Sequence, residues 1–356
     1  MKKIMFLAAL LASAVVSGFS QPAQWNVNNN STWITAVNGI RGGGNNMQHI
    51  INITGTFPVI PTPAVENTFG TVTGITVTIT GNGTISPSSN GSLLRIGSGQ
   101  TVVVDGNLTL QGLRENNARV VVVGSGGTFS LVGNTTVSGN SRDWEADIFN
   151  HPYNAGGGVL VTGGYFSMAG NARVSENSAW SAGGGVLVMS ETFIMSGNAM
   201  VSRNHASTYT DAWSGSGHGG GVAVHGGTFE MRGGTVSENS ANGWGGGVYG
   251  SFTMLGGTIS GNSSYVMGGG VFIPEGRLLT KTGGIIHGSN ESSVGLRNIA
   301  GFGAGGGRGG DAIFYGRGRE WDANSRWRNA TAGSDMNTGF FGFWLNENEN
   351  EIEEWW

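Results

Sequence analysis

Three glycines followed by valine recur through the middle of this chain, and no other feature restricts its fold as much. The triplets begin at Gly156, Gly183, Gly219, Gly245, Gly268 and Gly305, at spacings of 27, 36, 26, 23 and 37 residues, and the first five are followed by valine. Self-similarity at such a period is the mark of a repeat architecture. Between the triplets no segment has the 3.6-residue periodicity that a helical solenoid needs. Each repeat holds three short stretches of alternating apolar and polar residues, the pattern of half-buried strands. From Gly219 these are Val222-x-Val224, Phe229-x-Met231 and the run through Val236.

Three strands per turn of 23–27 residues predicts an all-β chain wound as a parallel β-helix. Parallel crossovers are right-handed, so the helix is expected to be right-handed. Each strand should stack on its equivalent about 4.8 Å away, so that like residues form columns. The expected inner columns are Phe166, Phe193, Phe229 and Phe252; Met168, Met195, Met231 and Met254; Val159, Val186, Val222, Val248 and Val271; and Val174, Val201, Val236 and Ile259. Ser167, Ile194, Glu230 and Thr253 lie between Phe and Met and should face outward. Asn140, Asn177, Asn204, Asn239 and Asn262 recur in a V/I-S-x-N segment, where stacked amides can bond up a column. Glycine supplies the backbone angles of the corners.

The GGGV, TFxM, GGT[VI]S and N-S elements resemble the repeats of spirochaete β-helix surface proteins. The likeness extends to Thr32-Trp33-x-x-Ala36 and to Lys281-Thr282-Gly283-Gly284. The repeats are more distantly similar to the passenger repeats of chlamydial polymorphic outer-membrane proteins, which carry GGA[ILV] and FxxN; this chain has GGGV and no strict FxxN. The resemblance implies an exported, surface-located or adhesin-type protein.

The chain opens with a basic pair, Lys2 and Lys3, an apolar run Ile4 to Val16, and Gly18-Phe19-Ser20, which reads as a signal peptide over residues 1–20. Export to the cell surface, the outer membrane or the medium is therefore expected. No later run is apolar enough for a transmembrane helix. Residues 21–70 are expected to form an N-terminal cap and the first strands. The coils proper are expected over 71–320, and 321–356 is a tail. One short helix is expected over Asn30–Arg41, because Trp33, Ala36, Val37 and Ile40 share a face; Ser31 is its expected N-cap and Gly42 its stop. Such a helix would cover the first coil's open edge.

Composition narrows the function. Glycine is 67 of 356 residues, and charged residues are only 11%, against roughly 25% in an average chain. There is no cysteine, which excludes disulfides, thiolate metal sites, a thiol nucleophile and a lipoprotein anchor. The net charge is −4 and the only lysine beyond the leader is Lys281, so no nucleic-acid partner is expected. A local cluster of Arg308, Arg317, Arg319, Arg326 and Arg328, with Trp321 and Trp327, reads as an end-cap that pairs with Glu347, Glu349, Glu351, Glu353 and Glu354.

Some β-helix proteins cleave polysaccharides, and Gly217-His218-Gly219 is similar to a Gly-His-Gly piece of polygalacturonases. The Asp-Asp and Asn-Thr-Asp motifs that carry the hydrolytic carboxylates are absent. Asp105, Asp143, Asp147, Asp211, Asp311, Asp322 and Asp335 are scattered singly, unlike a calcium cage. A calcium nonapeptide fits Gly306–Phe314 once only, which makes a half-site at most, and a degenerate coil start is the favoured reading. No Walker-type lysine follows the glycine runs. Neither a cofactor nor a metal is expected, and no catalytic residue is assigned.

Aromatic residues gather between V/I-S-x-N and the next triplet: Trp144, Tyr153, Trp180, Tyr209, Trp213, Trp244 and Tyr265. Stacked coils would bring the segments 141–155, 178–182, 205–218, 241–244 and 263–267 to one edge. Exposed aromatic faces bind sugars and proteins, although each ring could equally pack over its own corner. The expected function is a non-catalytic binding or adhesion surface for a host-cell protein or glycan. The alternatives are a polysaccharide lyase or hydrolase, and a structural envelope protein.

Overall fold

The computed structural model describes residues 21–141, 157–207, 217–288, 292–301, 313–316 and 341–342. The chain winds as a parallel β-solenoid of about 9 turns, with a single helix near its N-terminus. The predicted columns form in the predicted register. Phe166 pairs with Phe193, Phe193 with Phe229 and Phe229 with Phe252, and Met168, Met195, Met231 and Met254 pair likewise. The Phe rings lie nearly parallel, with centroids 4.7 Å, 4.8 Å and 5.7 Å apart, the spacing of stacked strands. Phe129 extends this column below and Leu279 above. All of these side chains are buried, so the core is one continuous stack along the axis. Ser167, Ile194, Glu230 and Thr253 are half-buried on the outer side.

The asparagine ladder is internal and continuous. The Oδ1 atom of Asn204 accepts from the Asn177 backbone N–H and from its Nδ2, both at 3.1 Å. Asn204 repeats the pattern on Asn239 at 3.0 Å, and its Nδ2 also donates to the Val174 carbonyl. Two members escape the repeat pattern: Asn116 joins below Asn140, and Asn298 accepts from Asn262 above. The residue between Ser and Asn takes left-handed angles in each of the five coils with the V/I-S-x-N segment. Gly139 and Gly261 do so readily, whereas Glu176, Arg203 and Glu238 do so at φ 58°, 55° and 56°. Arg203 pairs with both glutamates on the exposed corner.

Three details depart from the expected layout. The helix runs Asn30–Gly42, one residue longer than expected, and is capped by Asn29, not Ser31. The Asn29 side chain accepts from the Thr32 N–H while the Thr32 hydroxyl accepts from the Asn29 N–H, a reciprocal box that Ser31 is placed two residues too late to make. Its buried face is the expected one, Trp33, Ala36, Val37 and Ile40. The first two long strands, Gln48–Val59 and Ile75–Pro87, pass through a corner without a break. Gly55, Gly81 and Gly83, all at positive φ, bend the backbone there while the hydrogen bonds continue. Finally, the coils from Asn177 onward carry a fourth strand. Ser178–Trp180, His205–Ser207, Ser240–Ala241, Ser263–Ser264 and Ile299–Ala300 form a separate five-stranded parallel sheet.

Among the described residues no helix is long and apolar enough to cross a membrane. The expected signal peptide, the arginine cluster, the acidic tail and most of the calcium-like nonapeptide lie outside the described residues.

Candidate binding surface

The fourth strand turns the insertion-bearing corner into a defined face. Its inward side chains are small: Ala179, Ala206, Ala241, Ser264 and Ala300 are all buried. Two outward ranks result. The first is Ser178, His205, Ser240, Ser263 and Ile299. The second begins with Trp180 over Ser207 and continues through Asn242 and Tyr265. The Asn242 N–H donates to Ala206 and the Tyr265 N–H to Ala241, which keeps the register beyond the strand ends.

Two expected aromatic residues, Trp180 and Tyr265, thus stand at opposite ends of one rank, three strand spacings or roughly 14 Å apart. Trp180 is half-buried and Tyr265 is 56% exposed. Trp244 is not part of this face. It is 8% exposed and lies in an inner aromatic stack, 4.5 Å from His218 and 5.0 Å from Phe272. His218 is itself stacked on Tyr249 at 4.6 Å, and its Nδ1 accepts from the Trp244 N–H. The outward side chains of the GGGV strands, Leu187, Ala223, Tyr249 and Phe272, are covered in this way by the segment leading into each triplet. The triplet makes that cover possible. Gly219 turns at φ 61°, and a Cβ on Gly220 would strike the Ser240 carbonyl. Trp144, Tyr153, Tyr209 and Trp213 lie outside the described residues.

The bases of both insertions are held by hydrogen bonds. Before residues 142–156, Asn140 sends its Nδ2 to the Gly157 carbonyl on the far stem. Around residues 208–216, one residue grips both stems. The Ser181 N–H donates to Ser207, and the Ser181 carbonyl accepts from Gly217 at 2.5 Å and from His218 at 2.9 Å. Ser181 does so at φ 107°, an unfavourable angle for a residue with a side chain. The next two carbonyls, Ala182 and Gly183, accept from the guanidinium of Arg119. Arg119 replaces the second glycine of the triplet in an earlier coil and reaches across Gly157, which has no side chain to block it. Its guanidinium is fully buried, and burial lowers its pKa to about 9. The corner is therefore a rigid mount.

Polar chemistry on the face is neutral. His205 Nδ1 and Ser240 Oγ share a hydrogen bond of 2.8 Å, and burial holds that imidazole below its usual pKa range. On the adjoining corner Arg203 is paired with Glu176 and with Glu238. Among the described residues no three His, Asp or Glu side chains gather as a metal site. Neither Ser178 nor Asn242 stands out in the sequence. The signal that could have found them is the small alternation around Ala179, Ala206 and Ala241. No family model, no curated protein and no solved structure matches this chain.

Proposed function

We propose that this is an exported β-solenoid whose insertion-bearing edge is a non-catalytic binding or adhesion surface, displayed at the cell surface or released. The observation that carries the reading is the grip of Ser181 on both stems of residues 208–216. A strained residue spent on fixing the root of an insertion is what a mounted recognition loop requires, because loops on rigid scaffolds are where binding concentrates. The stems of residues 142–156 and 208–216 stand at the same corner, the one that leads into a glycine triplet, which supports the same reading. Export rests on the basic-apolar-small order of residues 1–20.

The test is attachment of the purified chain, lacking residues 1–20, to host cells and matrix proteins, with polysaccharide cleavage assayed alongside. Replacing 208–216 by Gly-Ser between Ser207 and Gly217 should leave the melt nearly unchanged and weaken attachment at least tenfold. Attachment that survives this change, or reproducible cleavage of a polysaccharide, overturns the proposal.

A further inference from the structure

The outer face of the five-stranded sheet has the chemistry of a receptor for an uncharged sugar chain. Resting on the binding-surface reading above, we infer that an extended neutral glycan lies along the solenoid axis over the rank Trp180, Ser207, Asn242 and Tyr265. Three observations combine. An aromatic ring stands at each end of the rank, and the flat faces of such rings pack against the C–H faces of pyranose rings. Between them the side chains carry hydroxyl and amide groups, which offer donors and acceptors to sugar hydroxyls. The Asn242 side-chain amide makes no hydrogen bond to another described residue, nor do the hydroxyls of Ser178 and Ser263 in the adjacent rank. The Ser207 hydroxyl donates to the Ala179 carbonyl at 3.3 Å and keeps its acceptor capacity.

Charge selects among polymers. The described residues of this face, 178–182, 205–207, 240–244 and 263–265, include no Asp, Glu, Lys or Arg. His205 is held neutral by burial. Among the described residues of this face nothing would compensate a sulfate, sialate or uronate brought out of water, and an unpaired buried charge is costly. A neutral chain carries no such cost. The roughly 14 Å between the aromatic ends suits an oligosaccharide of several sugars rather than a monosaccharide. The parallel rank of Ser178, His205, Ser240 and Ser263 doubles the hydroxyl array beside it.

The probe is a glycan array printed with neutral hexose and N-acetylhexosamine oligosaccharides beside sulfated, sialylated and uronate-bearing counterparts. The chain from Gln21 onward is applied. Binding should favour a neutral oligosaccharide over its monosaccharide and change little with salt, since no ion pair contributes. Tyr265→Ala and Trp180→Ala should each weaken it at least tenfold, and Asn242→Ala several-fold. Tyr265 is exposed, so its replacement reports on binding even if Trp180→Ala lowers the melt. Preference for charged glycans, or neutral binding untouched by Tyr265→Ala and Asn242→Ala, overturns the inference. Cell attachment that persists after enzymatic removal of surface glycans assigns the edge to a protein partner; it sinks the glycan and leaves the binding surface standing. Failure to attach to cells or matrix and to bind any glycan sinks both.

Discussion

Phe229 and Glu230 are neighbours with opposite fates. Phe229 is fully buried between Phe193 and Phe252, whereas Glu230 points outward and pairs with Arg232 at 2.6 Å. Phe229→Asp places an unpaired charge in a packed stack, and breaking such a site costs about 3–5 kcal/mol or more. Glu230→Thr loses one solvated ion pair, worth about 0–1 kcal/mol. The first variant should lower the melting temperature by many degrees and the second hardly at all; equal effects would place the strand register off by one. A second residue reports on pH. His49 lies buried at the foot of the Phe column, paired in register with Val77, and neither ring nitrogen has a partner. Burial holds His49, His205 and His225 below the usual histidine range, with Arg277 and Arg119 adding to the effect at His225. The unfolded chain then takes up protons first as pH falls, so stability is full above about pH 6.5 and declines below it. His49→Leu should raise the melt and flatten its decline toward pH 5. An unchanged acid slope would remove His49 from the account. These columns were legible because Phe, Met, Val and Asn repeat at fixed offsets. Arg119 and Asn298 were not legible, since each occurs once and acquires its role only when coils stack on it.

At the scale of elements, amphipathic length decides what can be read. The helix Asn30–Gly42 announces itself by Trp33, Ala36, Val37 and Ile40. Its cap does not, because Asn28, Asn29, Asn30 and Ser31 are all good capping residues and only the Thr32 side chain selects Asn29. Asn29→Ala should therefore cost about 1 kcal/mol in a thermal or urea melt, while Ser31→Ala should be near neutral. A larger loss at Ser31 would contradict the observed cap. The fourth strand lies at the other extreme. Strands of two or three residues with Ala or Ser as the inward side chain bury too little to show a hydrophobic period, and Ser-rich alternation reads as loop. The face that carries the candidate site was therefore seen only as a gathering of aromatic residues. Of these, Trp180 and Tyr265 share a rank, and Trp244 belongs to an interior stack with His218. That division depends on the triplet turn, which sends the approach to Gly219 and Gly245 over the outside of the sheet.

The molecule as a whole is close to one-dimensional, each coil resting on its neighbours, so its ends are its exposed edges. At the N-terminal end Ala23–Val27 pairs with Gln48–Val59 on one side, and among the described residues no strand pairs its other side. An open β-edge over an apolar core is a template for another chain. The helix lies across this end and packs on both of those strands. The Trp25 ring occupies the space that a side chain at Gly39 would need. Replacing Asn30–Gly42 by a short Gly-Ser bridge should uncover Val27, Ile51 and Ile53, which are now fully buried. The coils beyond Ile75 keep their own stacks, so the β-rich circular dichroism spectrum should persist. Sedimentation should instead show dimers and larger species whose share grows with concentration, formed by pairing at the uncovered end. Adding a lysine within Ala23–Val27 should reverse that growth without restoring the helix, because edge charges oppose strand pairing. A helix-less variant that stays monomeric with an unchanged melt would mean that this end is guarded by something other than the helix.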